Sequence, residues 1–181
     1  VQGLQTPAPV SFSHDVIPIL TKAGCNSGGC HGKAEGQNGF KLSIFGFDSA
    51  TDFDAIANEG RGRRIWLSAP ERSLLLSKAT AQVPHGGGQK IEPDSYHHNC
   101  LRRWISEGAQ FAPEGDEDRH IVDLEIEPQQ QILLRGQSHQ LRVTAVDATG
   151  NRHCVTAIAD YETNAEAIAR IDSTGLIQVG D

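Results

Sequence analysis

Residues 20–32 read Leu20-Thr-Lys-Ala-Gly-Cys25-Asn-Ser-Gly-Gly-Cys30-His31-Gly32. Two thiols and an imidazole fall within seven residues, directly after an apolar segment. Upstream, Val16, Ile17 and Leu20 give one apolar face to a helix starting near Ser13. Pro18 falls early in that helix, where its missing N–H is tolerated, and Gly24 ends it. Downstream, Gly32 to Gly39 is a glycine-rich loop that lets backbone lie close to a flat ligand. Gly28 and Gly29 are expected to let the loop between the cysteines fold back without steric penalty.

Three chemistries compete for this heptapeptide. Two thiols followed by a histidine suit a covalently attached c-type haem, with thioethers to two vinyl groups and the imidazole on iron. The usual spacing has two residues between the cysteines, whereas here Asn26 to Gly29 make four. A plain Cys25–Cys30 disulfide, with His31 incidental, fits equally well. Structural zinc fits less well, because it needs four ligands, and Cys100 and Cys154 stand alone in different halves. Taken alone, the heptapeptide leaves haem and disulfide open.

The chain has 181 residues, 38% of them hydrophobic and 22% charged, as in an ordinary globular protein. A net charge of -7 argues against a nucleic-acid or anionic-membrane surface. No apolar run approaches the roughly 20 residues needed to span a bilayer. The first residues, Val1 to Pro9, read as a mature or trimmed N-terminus. Aromatics are only 6%, so a protein-only core in the first half is expected to be thin, and a buried cofactor would fill it. Eight histidines and no methionine complete the inventory of potential axial ligands.

The two halves differ in texture. Residues 10–110 read as short helices between glycine-rich loops. A second helix is expected over Thr51 to Glu59, with Phe53, Ile56 and Ala57 on one side. A third follows Ser68-Ala69-Pro70 and carries Leu74, Leu75 and Ala79. A fourth runs from about Pro93 to Glu107, with Cys100, Leu101, Trp104 and Ile105 on one face and Gly108 as stop. Residues 111–119 have the acidic, Pro- and Gly-containing composition of a linker. Beyond it, Leu141, Val143 and Ala145 alternate with polar residues as a half-buried strand should, and Asp147 to Gly150 read as a turn. Further strands are expected near 121–126, 154–157, 168–171 and 175–179.

Residues 10–110 resemble the planctomycete-type cytochrome c domain. The strings carrying the likeness are "ILTKAGC", "CHGKAEGQNGFKLSIFGFD", "GRGRR", "SLLLSKAT", "VPHGGG" and "LRRWISEGA". Residues 120–181 more weakly resemble a bacterial immunoglobulin-like (group 2) domain, through "GQSHQLRVTAVDATGN" and "STGLIQVGD". The expected fold is therefore an α-helical cytochrome c-like domain over 1–110, a linker over 111–119, and a small all-β immunoglobulin-like sandwich over 120–181. Its short length leaves room for missing final strands.

The resemblance implies one covalent haem c on Cys25, Cys30 and His31. Ordinary members of the class I group supply methionine as second axial ligand, and this chain has none. Val83 stands near the methionine position and cannot ligate, whereas His85, two residues on and followed by three glycines, can. His31 and His85 are thus the expected iron ligands, with His97, His98 and Cys100 as runners-up. Arg61, Arg63 and Arg64 suit the propionates or form a solvated basic turn. Trp104 packs either on the macrocycle or in the helical core. The expected function is one-electron transfer to a redox partner outside the cytoplasm (periplasmic, secreted or cell-surface), within a larger multidomain protein. An open-site haem sensor or small haem catalyst, and a haem-free disulfide-stapled interaction module, are the other readings.

Overall fold

The computed structural model describes residues 8–114, 116 and 119–180. The chain divides into two compact units, 1–114 and 115–181. The expected N-terminal trimming site and linker residues 115, 117 and 118 lie partly or wholly outside the described residues.

Among the described residues, four α-helices form in the first unit. They are α1 (Ile17–Lys22), α2 (Ser49–Phe53), α3 (Leu74–Ala79) and α4 (Tyr96–Ser106). Wider π turns flank two of them, at Phe12–Val16 and Asp54–Asn58. Ser11 starts the first turn by accepting from the His14 N–H at 3.2 Å. Ser95 starts α4 in the same way, accepting from the His98 N–H at 3.2 Å.

Only α4, with 11 residues, exceeds two turns, and the rest of the unit is loops and single turns. This corrects the expected α-helical cytochrome c-like domain. Left-handed glycines such as Gly24, Gly60 and Gly108 stop the helical segments before them from lengthening. With the strands of the second unit, the chain is mixed α/β.

The first unit has a protein core of its own. Phe12, Ile19, Leu20, Ile56, Leu101, Trp104 and Ile105 are almost completely buried. Phe12 lies 5.4 Å from Trp104 and 5.2 Å edge-on from Phe53, and Phe53 lies 5.4 Å from Phe111. The Trp104 indole N–H donates to the Gln110 carbonyl at 2.8 Å, so its one polar atom is satisfied inside.

The second unit holds two three-stranded antiparallel sheets. One is β1 (Ile121–Glu127), β3 (Arg142–Asp147) and β4 (Arg152–Cys154), in that order. The other is β2 (Ser138–Gln140), β6 (Leu176–Val179) and β5 (Ala169–Ile171). Three of the six strands have only three residues, so the expected immunoglobulin-like sandwich is replaced by two small sheets. Val143, Thr144 and Ala145 are buried on β3, which pairs with both neighbours.

The β3–β4 turn is pinned by Asp147. Its carboxylate accepts from the Thr149 N–H and hydroxyl at 3.0 and 2.6 Å, from the Asn151 N–H at 2.9 Å, and meets His153 Nε2 at 2.8 Å. His153 and these donors hold the Asp147 carboxyl well below the usual carboxylate range.

Both features have measurable effects on stability. Trp104→Ala should cost about 3–5 kcal/mol in denaturant unfolding of the first unit, as loss of a large core aromatic does. The Asp147 contribution should be complete above the ordinary carboxylate range and fade as pH falls through its depressed folded value. Asp147→Asn should therefore flatten the acid limb of stability followed by circular dichroism.

Candidate functional site

The chain folds residues 25–32 into a closed loop with its own backbone. Cys25 N–H donates to the Leu20 carbonyl at 2.8 Å, continuing from α1. Cys30 and Gly32 both donate to the Ser27 carbonyl at 3.0 Å, and His31 donates back to the Cys25 carbonyl at 3.0 Å. These bonds return Cys30 and His31 towards Cys25 despite the four intervening residues.

The glycine that matters here is not one of the expected pair. Gly28 and Gly29 face open space, and neither has a positive φ. At Gly32, a Cβ would lie 2.1 Å from the Asn26 carbonyl oxygen. Nothing in the spacing of the motif marks that position.

Cys25, Cys30 and His31 line a cavity of about 590 Å³. This lies within the usual range for small-molecule and cofactor sites. Leu20, Leu42, Leu74 and Leu75 form apolar wall, and His85 stands in the lining as well. On α3, Leu76 rather than Leu74 or Leu75 enters the core, which leaves those two for the cavity. Lys78, Lys90 and Arg63 add positive charge.

The two imidazoles are parallel within 6°, with ring centroids 6.3 Å apart. That separation leaves room for one metal ion between the rings, with metal–nitrogen bonds of about 2.0–2.1 Å on each side. In each ring Nδ1 is engaged by a backbone carbonyl. His31 Nδ1 meets the Phe40 carbonyl at 3.0 Å, and His85 Nδ1 meets the Gly88 carbonyl at 2.8 Å. A donor at Nδ1 fixes the tautomer that leaves Nε2 as the lone-pair nitrogen. Burial pulls His31 below its ordinary value, with nearby His85 and Arg64 acting the same way against the Phe40 hydrogen bond. The neutral imidazole is the form that binds metals.

The thiols are free rather than joined in a disulfide. Burial, reinforced by neighbouring Cys30 and opposed by Lys90, pushes the Cys25 thiol up to about 11. Among the described residues, no three His, Cys, Asp or Glu side chains converge to hold a bare metal ion.

The other candidate residues separate. Arg63 lines the cavity and Arg61 does not. Arg64 lines it too, but the residue is only 5% exposed, and its guanidinium donates to the Ala55 and Gly39 carbonyls at 2.7 and 3.1 Å. Trp104 belongs to the aromatic core and is no part of the lining. His97, His98 and Cys100 are also outside it, and His98 Nδ1 accepts from the Asp94 N–H at 3.2 Å. The residues that sequence reasoning missed are Phe40, Lys78 and Lys90. The carbonyl role of Phe40 carries no side-chain signal at all.

Compared with known proteins, the chain matches no family model and no curated protein. Among the described residues, no helix is long and apolar enough to cross a membrane.

The loop geometry makes a sharp contrast testable. Gly32→Ala should cost about 1–3 kcal/mol or more by overpacking against Asn26. Gly29→Ala should change thermal stability by about 0.5 kcal/mol at most. Calorimetry of the two variants side by side checks the pair.

Proposed function

We propose that the first unit is a c-type haem module that carries single electrons. The observation that carries this reading is the pair of parallel imidazoles, His31 and His85, 6.3 Å apart in one cavity with Cys25 and Cys30. His31 and His85 would hold the iron of a haem, and the macrocycle would supply its remaining ligands. Two thiols beside the first histidine are what thioether attachment requires.

When bound, haem supplies a one-electron couple at a fixed place. The chain's own residues do the rest. Cys25 and Cys30 anchor the group, so a small loop-rich unit need not retain it by packing alone. His31 and His85 would hold the iron through Nε2, since the Phe40 and Gly88 carbonyls engage their Nδ1 atoms. Leu20, Leu42, Leu74 and Leu75 exclude water from the cavity walls, and Lys78, Lys90 and Arg63 supply charge for carboxylates at its rim. With His31 and His85 both engaged by the iron, the group would offer no open position to a substrate and would supply electron transfer rather than catalysis. Two histidines also set a lower potential than a His/Met pair, because methionine ligation raises it. Thioether attachment is made outside the cytoplasm, so the reading places the protein there, with a redox partner.

The purified protein should show a Soret band that stays with the chain after acid–organic extraction. His85→Ala should turn a low-spin ferric spectrum high-spin. A chain with no Soret band would end the haem reading, and a low-spin His85→Ala protein would end the assignment of His85.

A further inference from the structure

We propose that Arg64 is a positioning residue for His31, acting through Phe40 and not on a ligand. Its importance for the potential rests on the haem reading above, whereas the coupling itself stands on the geometry of the protein. Arg64 is one of the few buried charged residues of the first unit. Its two terminal nitrogens hold two carbonyls from different segments, Ala55 after α2 and Gly39 in the loop that follows the cysteines. Its guanidinium carbon also lies 4.5 Å from the Phe40 ring centroid, over the ring.

Gly39 and Phe40 belong to the tight turn that faces His31. Asn38 and Gly39 both have positive φ, 51° and 72°, as the two central residues of a type I′ turn require. Gln37 and Phe40 close that turn with reciprocal backbone bonds of 2.9 and 3.0 Å. The Phe40 carbonyl thus receives the Gln37 N–H on one lone pair and His31 Nδ1 on the other. The Phe40 ring packs 4.4 Å from the His31 ring. Arg64 grips the turn at both of its accessible handles, the Gly39 carbonyl and the Phe40 face. The turn in turn fixes His31 through a hydrogen bond and a ring contact.

A lysine at position 64 keeps the charge but loses the planar fork and the stacking face. Its single nitrogen replaces the two, fixed apart by the planar fork, that Arg64 sets on the two carbonyls. The turn is then free to shift, and the His31–Phe40 bond weakens.

The test is nitrogen-15 NMR of histidine in the purified protein, reduced so that any low-spin haem iron is diamagnetic. In the wild type, His31 should show one tautomer, protonated at Nδ1, with slow proton exchange. In Arg64→Lys that exchange should quicken about fivefold or more, the worth of one ordinary hydrogen bond. The Nε2-protonated tautomer should appear if no metal holds that nitrogen. Phe40→Leu, which keeps the carbonyl and removes the stacking face, should move the same signals less. Where haem is present, Arg64→Lys should also shift the midpoint potential. A folded Arg64→Lys protein with lower thermal stability but wild-type exchange at His31 would reduce Arg64 to a strut and overturn the proposal. Absence of a Soret band would overturn the haem reading and leave the tautomer comparison decisive for Arg64.

Discussion

His31 is fixed by its backbone before its side chain does anything. Its N–H is spent on the Cys25 carbonyl, and its own carbonyl accepts from Leu42 N–H at 2.9 Å. The first bond closes the cysteine loop, and the second ties that loop to the chain running towards α2. The ring is then held by its own contacts, the Nδ1 bond to the Phe40 carbonyl and the packing on the Phe40 ring. The cavity, the placing of both thiols and the parallel imidazoles all depend on this residue being held at three points. Each bond alone contributes only about 1 kcal/mol, but together they remove the rotational freedom that a ligating side chain cannot have.

Loop-rich backbone is a workable support for such a site because its polar groups are accounted for. A short helix such as α1 cannot position a ligand by itself, and α1 ends before the first cysteine. Past Lys22 the chain runs through successive turns whose N–H groups find carbonyls a few residues away. The aromatic cluster of Phe12, Phe53, Trp104 and Phe111 takes no part in the cavity lining, whereas the buried Leu20 and Leu42 serve both the protein core and the cavity wall.

Much of this was legible in residue order, and the exceptions have physical causes. The helix stops at Gly24 and Gly108 follow from the freedom of glycine to turn left-handed. The burial of Leu101, Trp104 and Ile105 follows from helical spacing in α4. The helical fold class did not survive, because periodic apolar residues mark where a helix forms and not how far it runs. Trp104 could not be assigned in advance, since core packing and cofactor packing ask for the same residue on the same face. The short strand β2, Ser138–Gln140, has no apolar alternation and exists by pairing with β6. Gly32 and the Phe40 carbonyl were invisible because they act through backbone, where every residue type looks alike. Arg64 was visible as a charge, but only its surroundings show that the charge is turned inward.

The two histidines are tethered at different ranges. His31 reaches a carbonyl nine residues along the chain, whereas His85 reaches one only three residues away, inside its own glycine-rich turn. Displacing His31 therefore breaks a bond to another segment. The His85 tautomer is set inside residues 84–88, and Lys78 of α3 joins that turn to the rest of the unit by donating to the Pro84 carbonyl. The two imidazoles thus differ in what each can lose: a change in the distant turn reaches the His31 ring directly, whereas the His85 ring feels only its own loop and the lysine that holds it.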